Sequence, residues 1–242
     1  MTYLQFHLVF LAPPLLVLAA LAARRGQRGA ATRDPAWALW LLPVIALVYT
    51  TPWDNYLVAR GVWTYPPGRV VGTLGYVPIE EYLFFLLQPV LAGLWYRLVR
   101  SWSADPAPAE AREAARWSGV AFFGVLSVAG VVLAAAGGRG LYLGLILSWA
   151  CPVLAGMWVL AGRRLWRHRR LLALAVGPPT LYLWIADRVA IGKGIWEIAD
   201  ATRTGAEVFG LPIEEALFFL VTNLLVVQGL LMFAAEHEPV AR

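Results

Sequence analysis

Residues 77–86 read VPIEEYLFFL, and residues 211–220 read LPIEEALFFL. In each stretch a proline and two glutamates precede a long apolar run. Proline is favoured at the first helical position, and carboxylates in the first turn are stabilised by the positive end of the helix dipole. Each stretch therefore predicts the start of an apolar helix, with Pro78 or Pro212 at its beginning. The recurrence of the whole pattern indicates an internal duplication.

The duplication includes the sequence that precedes each glutamate pair. Asp54 and Trp63 precede the first pair, and Asp187 and Trp196 precede the second. The offset between the two copies is 133 residues at the Asp and the Trp and 134 residues at the Pro-Ile-Glu-Glu unit. The copies thus differ by one residue of loop length, which argues against a chance recurrence.

The composition is that of a membrane protein. Of the 242 residues 60% are hydrophobic and 14% are charged, whereas soluble domains have roughly 45–50% and roughly 25%. A membrane-spanning helix needs about 20 mostly apolar residues, and seven windows of about this length cover the chain. They are residues 3–23, 36–51, 77–99, 117–136, 141–161, 171–189 and 211–235. The predicted fold is an all-α integral membrane protein with seven transmembrane helices in a single membrane domain, residues 1–242.

The position of the duplication predicts the internal organisation. An offset of four helices gives both copies the same orientation in the bilayer, as in a parallel repeat. We therefore expect a three-helix unit at residues 1–100, a linker and spacer helix at 101–138, a second three-helix unit at 139–235, and a short tail at 236–242. Both glutamate pairs would then lie at the outer ends of the third and seventh helices.

The basic residues predict the orientation. Of the 20 Lys and Arg residues, 14 fall on one side of the predicted helices, and basic loops near helix ends stay cytoplasmic. We expect a multi-pass protein of the cell membrane with its N-terminus outside and its C-terminus in the cytoplasm. The net charge of +5 is then a consequence of topology, and no nucleic-acid partner is expected.

Several chemistries lack the residues that they need. The only lysine, Lys193, lies in a predicted loop, so no helix offers a Schiff-base lysine for a retinal. The three histidines are far apart in sequence and form no di-iron ligand cluster. The single cysteine, Cys151, excludes an internal disulfide framework and any Cys-rich metal site. The chain also has no Gly-rich dinucleotide motif. We expect neither a metal nor a cofactor.

The glutamate pairs suit acid–base chemistry. Four carboxylates at the start of apolar helices are costly unless they face a partner, water or a cavity. Successive helical residues lie about 100° apart, so one glutamate of each pair can point into the bundle while the other contacts the loop. Carboxylates beside aromatic rings suit the protonation of an isoprenoid double bond, because π-faces stabilise the cation that forms.

Asp and Trp followed by Pro-x-Glu-Glu, occurring twice in a seven-helix chain, resembles the membrane-integral lycopene cyclases. In that family two three-helix units, separate subunits in some bacteria, are fused through an extra helix. The resemblance covers essentially the whole chain. It implies a carotenoid substrate and an acid-catalysed, redox-neutral cyclisation of the linear end groups of lycopene to β-ionone-type rings. The product would be β-carotene, formed through a one-ring intermediate without a cofactor. The number and type of rings and the chain length of the carotenoid stay open.

The resemblance also implies the site residues. Those expected to be catalytic are Glu80, Glu81, Glu214 and Glu215, with Asp54 and Asp187 as further candidates. The alternative for each aspartate is an ion pair with Arg60 or Arg188. The aromatic residues expected to line the substrate are Trp63, Trp196, Phe84, Phe85, Phe218 and Phe219. The tryptophans have interfacial anchoring as their alternative, and the phenylalanines have helix packing. The roles of acid, base and cation stabiliser are not assigned among the glutamates.

Two functions of other classes use the same residues. A proton-coupled transporter would place the four glutamates along a substrate path. A non-catalytic scaffold subunit would use them to clamp the two repeats through Arg60, Lys193 or Arg203. A transporter should have ionisable groups at the membrane midplane and interrupted helices there, whereas these pairs lie at helix starts. The duplication predicts a single cavity between the repeats, which takes lycopene or a one-ring intermediate from the lipid bilayer, and the choice between one shared active site and two stays open. Contact with other carotenoid-pathway enzymes and the oligomeric state stay open.

Overall fold

The computed structural model describes residues 1–27, 35–103 and 113–234. Seven long helices lie within these ranges, and the predicted all-α class is confirmed. They are α1 (Tyr3–Phe6, a π-helical turn His7–Leu11, and Ala12–Gln27), α2 (Ala38–Ala59), α3 (Ile79–Trp102), α4 (Glu113–Ala136), α5 (Leu141–Arg167), α6 (Arg169–Gly192) and α7 (Ile213–Phe233). Much of the predicted linker, at residues 104–112, and the predicted tail, at 236–242, lie outside the described residues.

Among the described residues, five helical segments are long and apolar enough to cross a membrane. They are Tyr3–Arg24, Ile79–Trp102, Glu113–Ala136, Gly138–Arg167 and Ile213–Phe233. The helices α2 and α6 are not among them; each contains two prolines and a buried aspartate. The chain is thus a multi-pass membrane protein, and Asp54 and Asp187 lie on the two helices outside the five segments.

Helix boundaries differ from the apolar windows where a helix contains buried polar residues. The second helix was expected to end at residue 51, but α2 continues to Ala59. It continues because the residues after the apolar window, including Asp54 and Leu57, still face the protein interior. Hydropathy alone therefore underestimates a helix that presents a carboxylate to the core.

Short strands, which the sequence analysis did not predict, shape the loops before α3 and α7. They are β1 (Trp63–Thr64), β2 (Thr73–Leu74), β3 (Val77–Pro78), β4 (Glu197–Ile198), β5 (Glu207–Val208) and β6 (Leu211–Pro212). The hairpins β2–β3 and β5–β6 immediately precede the two glutamate pairs, and β1 pairs antiparallel with β4. Pro78 and Pro212 are the last strand residues, with extended ψ angles of 146° and 136°. The prolines were expected to begin the helices, and they instead connect each hairpin to its helix.

The helices α3 and α7 lie at the centre of the bundle. About three-fifths of the apolar window of each, 61%, is buried, against 17% for α1 and α4. A buried hydrogen bond of 2.9 Å from Gln88 Nε2 to Asn223 Oδ1 joins the two central helices. The two glutamate-bearing helices are therefore in direct contact with each other.

The helix α4 packs mainly against α5. Glycines allow this close approach, since a Cβ on Gly144 would lie only 2.3 Å from the backbone nitrogen of Ala134. Small residues at such crossings let helix backbones pack tightly in membranes. The opposite side of α4 is apolar and exposed, with Phe122 and Val125 at 60% and 68% exposure. This helix thus covers α5 and lies apart from the glutamates.

Candidate active site

The first glutamate of each pair contacts the preceding loop. Glu80 Oε1 accepts a hydrogen bond of 2.8 Å from the backbone N–H of Val71. Glu214 Oε1 accepts one of 2.6 Å from the backbone N–H of Thr204. We call Glu80 and Glu214 the outer glutamates. They connect the loop to the first turn of α3 and of α7, as the rotation between successive helical residues predicted.

The second glutamate of each pair points into the bundle and accepts hydrogen bonds from phenols. Glu81 accepts from Tyr3 Oη of α1 and, at 3.3 Å, from Tyr65 Oη. Glu215 accepts from Tyr142 Oη of α5 at 2.6 Å. We call Glu81 and Glu215 the inner glutamates. Each is 6% exposed or less, so the phenols supply hydrogen bonds that water cannot.

Tyr65 lies in the loop between α2 and α3. Burial raises the pKa of its phenol well above the ordinary value, and the nearby carboxylates of Glu81 and Asp54 raise it further. The Tyr65 hydroxyl therefore keeps its proton and acts as a donor to Glu81.

The sequence analysis did not predict these tyrosines, although the sequence contains a signal for two of them. The duplication extends to the first helix of each half at an offset of 139 residues. This offset aligns Tyr3-Leu4 with Tyr142-Leu143, and it also aligns the proline and the Arg-Arg dipeptide further along. The insertion between the first helix and the Asp changes the offset from 139 to 133, so a search at a fixed offset misses the tyrosines.

The aspartates are buried beside the inner glutamates. Asp187 Oδ1 accepts a hydrogen bond of 3.1 Å from Trp196 Nε1. Among the residues that the structure describes, neither carboxylate oxygen of Asp54 has a hydrogen-bond partner. The alternative ion pairs are wrong, because Arg60 donates to Tyr56 Oη at 3.2 Å and Arg188 donates to the carbonyl of Phe209 at 3.0 Å. Both aspartates instead belong to the surroundings of the inner glutamates.

Trp63 and Trp196 each pack against the half of the chain to which they do not belong. Trp63 lies in the first half, but its ring packs edge-on against Tyr142, with centroids 5.5 Å apart. Trp196 lies in the second half, but its ring packs on Tyr3, with centroids 4.8 Å apart. The pairing of β1 with β4 holds the two segments together, with Trp63 opposite Ile198. Tyr3 and Tyr142 are therefore each covered by a tryptophan from the other half.

One cavity of about 360 Å³ contains both inner glutamates. We call it the carboxylate cavity. Its lining residues are Tyr3, Phe6, Trp63, Tyr65, Glu81, Phe84, Asp187, Trp196, Glu215, Phe218 and Phe219. Two aromatic residues, Phe84 and Phe218, also line a larger apolar cleft nearby, and Phe85 lines only that cleft. The predicted site residues that are not part of the cavity lining are Glu80, Glu214, Asp54, Phe85, Pro78 and Pro212.

The cations proposed for a structural clamp are largely engaged elsewhere. Arg60 contacts Tyr56, and Arg203 forms ion pairs with Asp200 at 2.6 Å and with Glu207 at 3.3 Å. Within residues 1–27, 35–103 and 113–234, no group of three or more His, Cys, Asp or Glu side chains is arranged to hold a metal ion. The inner glutamates instead have phenols and aromatic rings as neighbours.

Buried carboxylates, phenol donors and aromatic walls within a bundle of apolar helices define a membrane protein with an acid–base site. Comparison with known proteins narrows this class. A sequence model described as lycopene cyclase matches residues 1–99 and 140–233. The chain belongs to the lycopene cyclase family.

Curated relatives cover the chain almost completely. A lycopene beta-cyclase of Halobacterium salinarum is 45% identical over 240 residues, which are 96% of each chain. A bifunctional lycopene cyclase/phytoene synthase of Gibberella fujikuroi is 37% identical over 95% of this chain. The match covers 39% of that fungal protein. No solved structure is similar to the chain at a significant level.

Proposed function

We propose that this chain converts the linear end groups of lycopene to β-ionone-type rings by an acid-catalysed, redox-neutral cyclisation. The product is β-carotene, formed through a one-ring intermediate. The observation that carries the proposal is an aromatic-walled cavity that is lined by both Glu81 and Glu215, each hydrogen-bonded to a phenol. The family and the printed name of the 45% identical relative support the same substrate.

The reaction needs one proton donor and one proton acceptor. A protonated inner glutamate transfers its O–H proton to the terminal double bond of the end group, which leaves a tertiary cation. The neighbouring double bond attacks this cation, so a ring carbon–carbon bond forms and the positive charge moves into the ring. Loss of a ring proton to a carboxylate then forms the ring double bond and restores the proton balance of the protein.

The surrounding rings stabilise the cation. Trp63, Trp196, Phe84 and Phe218 line the same cavity as the inner glutamates, and aromatic faces attract a cation within about 6 Å of the ring centre. We propose that Asp187 and Asp54 add negative charge beside the cavity. The outer glutamates act as positioning residues. Glu80 fixes the loop that carries Tyr65, and Glu214 fixes the loop that follows Trp196 through its hydrogen bond with Thr204.

We propose that the cavity forms between two parallel repeats, at residues 1–100 and 139–235, joined by a linker and spacer helix at 101–138. Equivalent hydrogen bonds support this organisation. Tyr49 Oη of the first half donates to the carbonyl of Trp149 at 2.8 Å, and Tyr182 Oη of the second half donates to the carbonyl of Phe10 at 2.7 Å. The two tyrosines are 133 residues apart and the two acceptors 139 apart, the same offsets as elsewhere in the duplication. The family match also omits residues 100–139.

We further propose that all seven helices span the cell membrane, with the N-terminus outside and the C-terminus cytoplasmic. The distribution of Lys and Arg supports this orientation. The two helices outside the five apolar spans carry Asp54 and Asp187, whose polarity faces the protein interior. The fungal relatives are named as bifunctional proteins with phytoene synthase, which supports contact with another enzyme of carotenoid biosynthesis.

Expression in cells that accumulate lycopene tests the proposed function. Extracted pigments, separated by chromatography, should contain cyclic carotenoids when the chain is present and lack them when Glu81 and Glu215 are both replaced by Gln. Unchanged lycopene in cells with correctly inserted protein would contradict the proposal and favour a non-catalytic scaffold.

A further inference from the structure

An apolar cleft of about 670 Å³ lies beside the carboxylate cavity, between α2, α3, α5 and α7. We call it the apolar cleft. Its walls include Ala46 and Tyr49 of α2, Trp149 and Val153 of α5, Phe84 of α3 and Phe218 of α7. The helices α2 and α5 come from different halves of the chain, so this cleft, like the cavity, depends on both halves.

The apolar cleft and the carboxylate cavity share two walls. Phe84 and Phe218 line both spaces. Aromatic rings continue from this junction along one side of the cleft. The ring of Trp53 stacks on Phe218 and on Trp149, with centroid distances of 5.9 Å and 4.7 Å, and Trp149 in turn stacks on Tyr49 at 5.7 Å. The apolar cleft and the carboxylate cavity are therefore adjacent, on either side of Phe84 and Phe218, and the surface that leads away from the cavity is apolar and aromatic.

Three of the polar side chains that line the cleft, those of Gln88, Thr222 and Tyr49, have hydrogen-bond partners within the protein. Gln88 Nε2 donates to Asn223 Oδ1 at 2.9 Å, and Thr222 Oγ1 donates to the carbonyl of Phe218 at 2.9 Å. Tyr49 Oη donates to the carbonyl of Trp149 at 2.8 Å. These hydrogen bonds leave carbon surface toward the cleft, which suits a hydrocarbon because a hydrocarbon offers no hydrogen bonds in return.

The cleft reaches the outside of the bundle along α2. Ile45 and Tyr49 line the cleft and are 46% and 42% exposed. Both lie on the apolar outer surface of a membrane protein, where lipid replaces water. A ligand dissolved in the bilayer can therefore enter sideways between α2 and α5 without crossing a polar surface.

We propose that the apolar cleft binds the polyene chain of the substrate while one end group lies in the carboxylate cavity. This inference rests on the proposed function, and it adds a binding site and an entry route. The cleft residues on α5 run from Trp149 to Met157, about 12 Å at the rise of an α-helix. An extended carotenoid is much longer, so its far end stays in the bilayer. One end group is cyclised in each binding event. The one-ring intermediate then leaves and binds again with its other end group in the carboxylate cavity.

A binding measurement on inactive protein tests this site without requiring turnover. The parent is the variant with Glu81→Gln and Glu215→Gln, purified from membranes that contain lycopene, and the readout is lycopene retained per protein. Ala46→Trp fills the cleft from α2 and should lower retention about tenfold, because the added ring occupies the space that the ligand would take. The matched control is Val48→Trp on the same helix, where the side chain is 68% exposed, and it should retain lycopene as the parent does.

A second pair of variants covers the case in which Ala46→Trp does not insert. Val153→Trp fills the cleft from α5, and Leu160→Trp is its control, at a position that is 78% exposed. Equal retention in filled and control variants would overturn the inference. Retention of phospholipid but not lycopene by the parent would also overturn it, since the occupant would then be a lipid chain. Wild-type protein that retains lycopene in the cleft but forms no ring would contradict the proposed function alone.

Discussion

Tyr142 Oη lies 2.6 Å from Glu215 Oε1, and both groups are buried. The equivalent phenol of the other half, Tyr3, donates to Glu81. A hydrogen bond to a charged group contributes about 1.5 to 3 kcal/mol, so each phenol determines how its glutamate is held and oriented. Both inner glutamates line one cavity, and their two Tyr–Glu pairs are the central feature of the site.

Removal of the Tyr142 hydroxyl should slow ring formation much more than it affects folding. Tyr142→Phe is expected to lower the rate by roughly tenfold to a hundredfold, because Glu215 loses the donor that fixes its carboxylate. The measurement is the initial rate of cyclic product formed by purified protein in lipid vesicles. The control is Tyr182→Phe, which removes a phenol that donates only to the carbonyl of Phe10. Similar losses in both variants would show that the effect is structural.

The inner and outer glutamates should differ in their response to amide substitution. Glu81→Gln and Glu215→Gln remove the proton donor or acceptor, and each is expected to lower the rate by about a hundredfold or more. Glu80→Gln and Glu214→Gln keep an oxygen that accepts from the loop N–H, so less than about a tenfold loss is expected. If one inner variant still forms a one-ring product at the normal rate, the two glutamates act in separate sites.

The tryptophans should be coupled to the phenols of the opposite half. A double-mutant cycle with Trp63→Leu and Tyr142→Leu is expected to give a coupling energy of about 0.5 to 1.5 kcal/mol, because the two rings are in edge-on contact and each substitution removes one of them. The matched cycle with Trp63→Leu and Tyr3→Leu lacks this contact and should be close to additive. The measurement is the initial rate of each single and double variant. The reverse result would contradict the crossed arrangement of the halves.

The contact between α3 and α7 should depend on one buried amide pair. Gln88→Leu leaves Asn223 Oδ1 without its donor, and an unsatisfied buried polar group costs about 1 to 3 kcal/mol. Thermal unfolding in detergent should show the loss as a lower midpoint. Adding Asn223→Leu should recover part of the loss, since it removes the orphaned acceptor. If Asn223→Leu lowers the unfolding midpoint of the Gln88→Leu variant as much as it lowers that of the wild type, the pair has no net coupling.

The sequence predicts much of this fold because its apolar windows and its duplicated motif are strong signals. The helical class follows from hydropathy. The 100° rotation between neighbouring helical residues predicts that one glutamate of each pair points into the bundle while the other contacts the loop. The hairpins were not predicted, because strands of two residues give no periodic pattern. Tyr3 and Tyr142 were missed because they lie on distant helices, and only the packing of α1 and α5 brings them to the glutamates. The interactions of Asp54 and Asp187 also depend on packing, because packing directs the nearby arginines away from them.

The deuterium content of the product is the most direct test of acid-catalysed cyclisation. Purified protein in vesicles is given lycopene in heavy water without any added cofactor, and the cyclic carotenoids are analysed by mass spectrometry. The account predicts one deuteron for each ring formed, because the proton that is added comes from a solvent-exchanged carboxyl group and the proton that is lost leaves a different carbon. Rings without deuterium, or ring formation only after a redox cofactor is added, would contradict it.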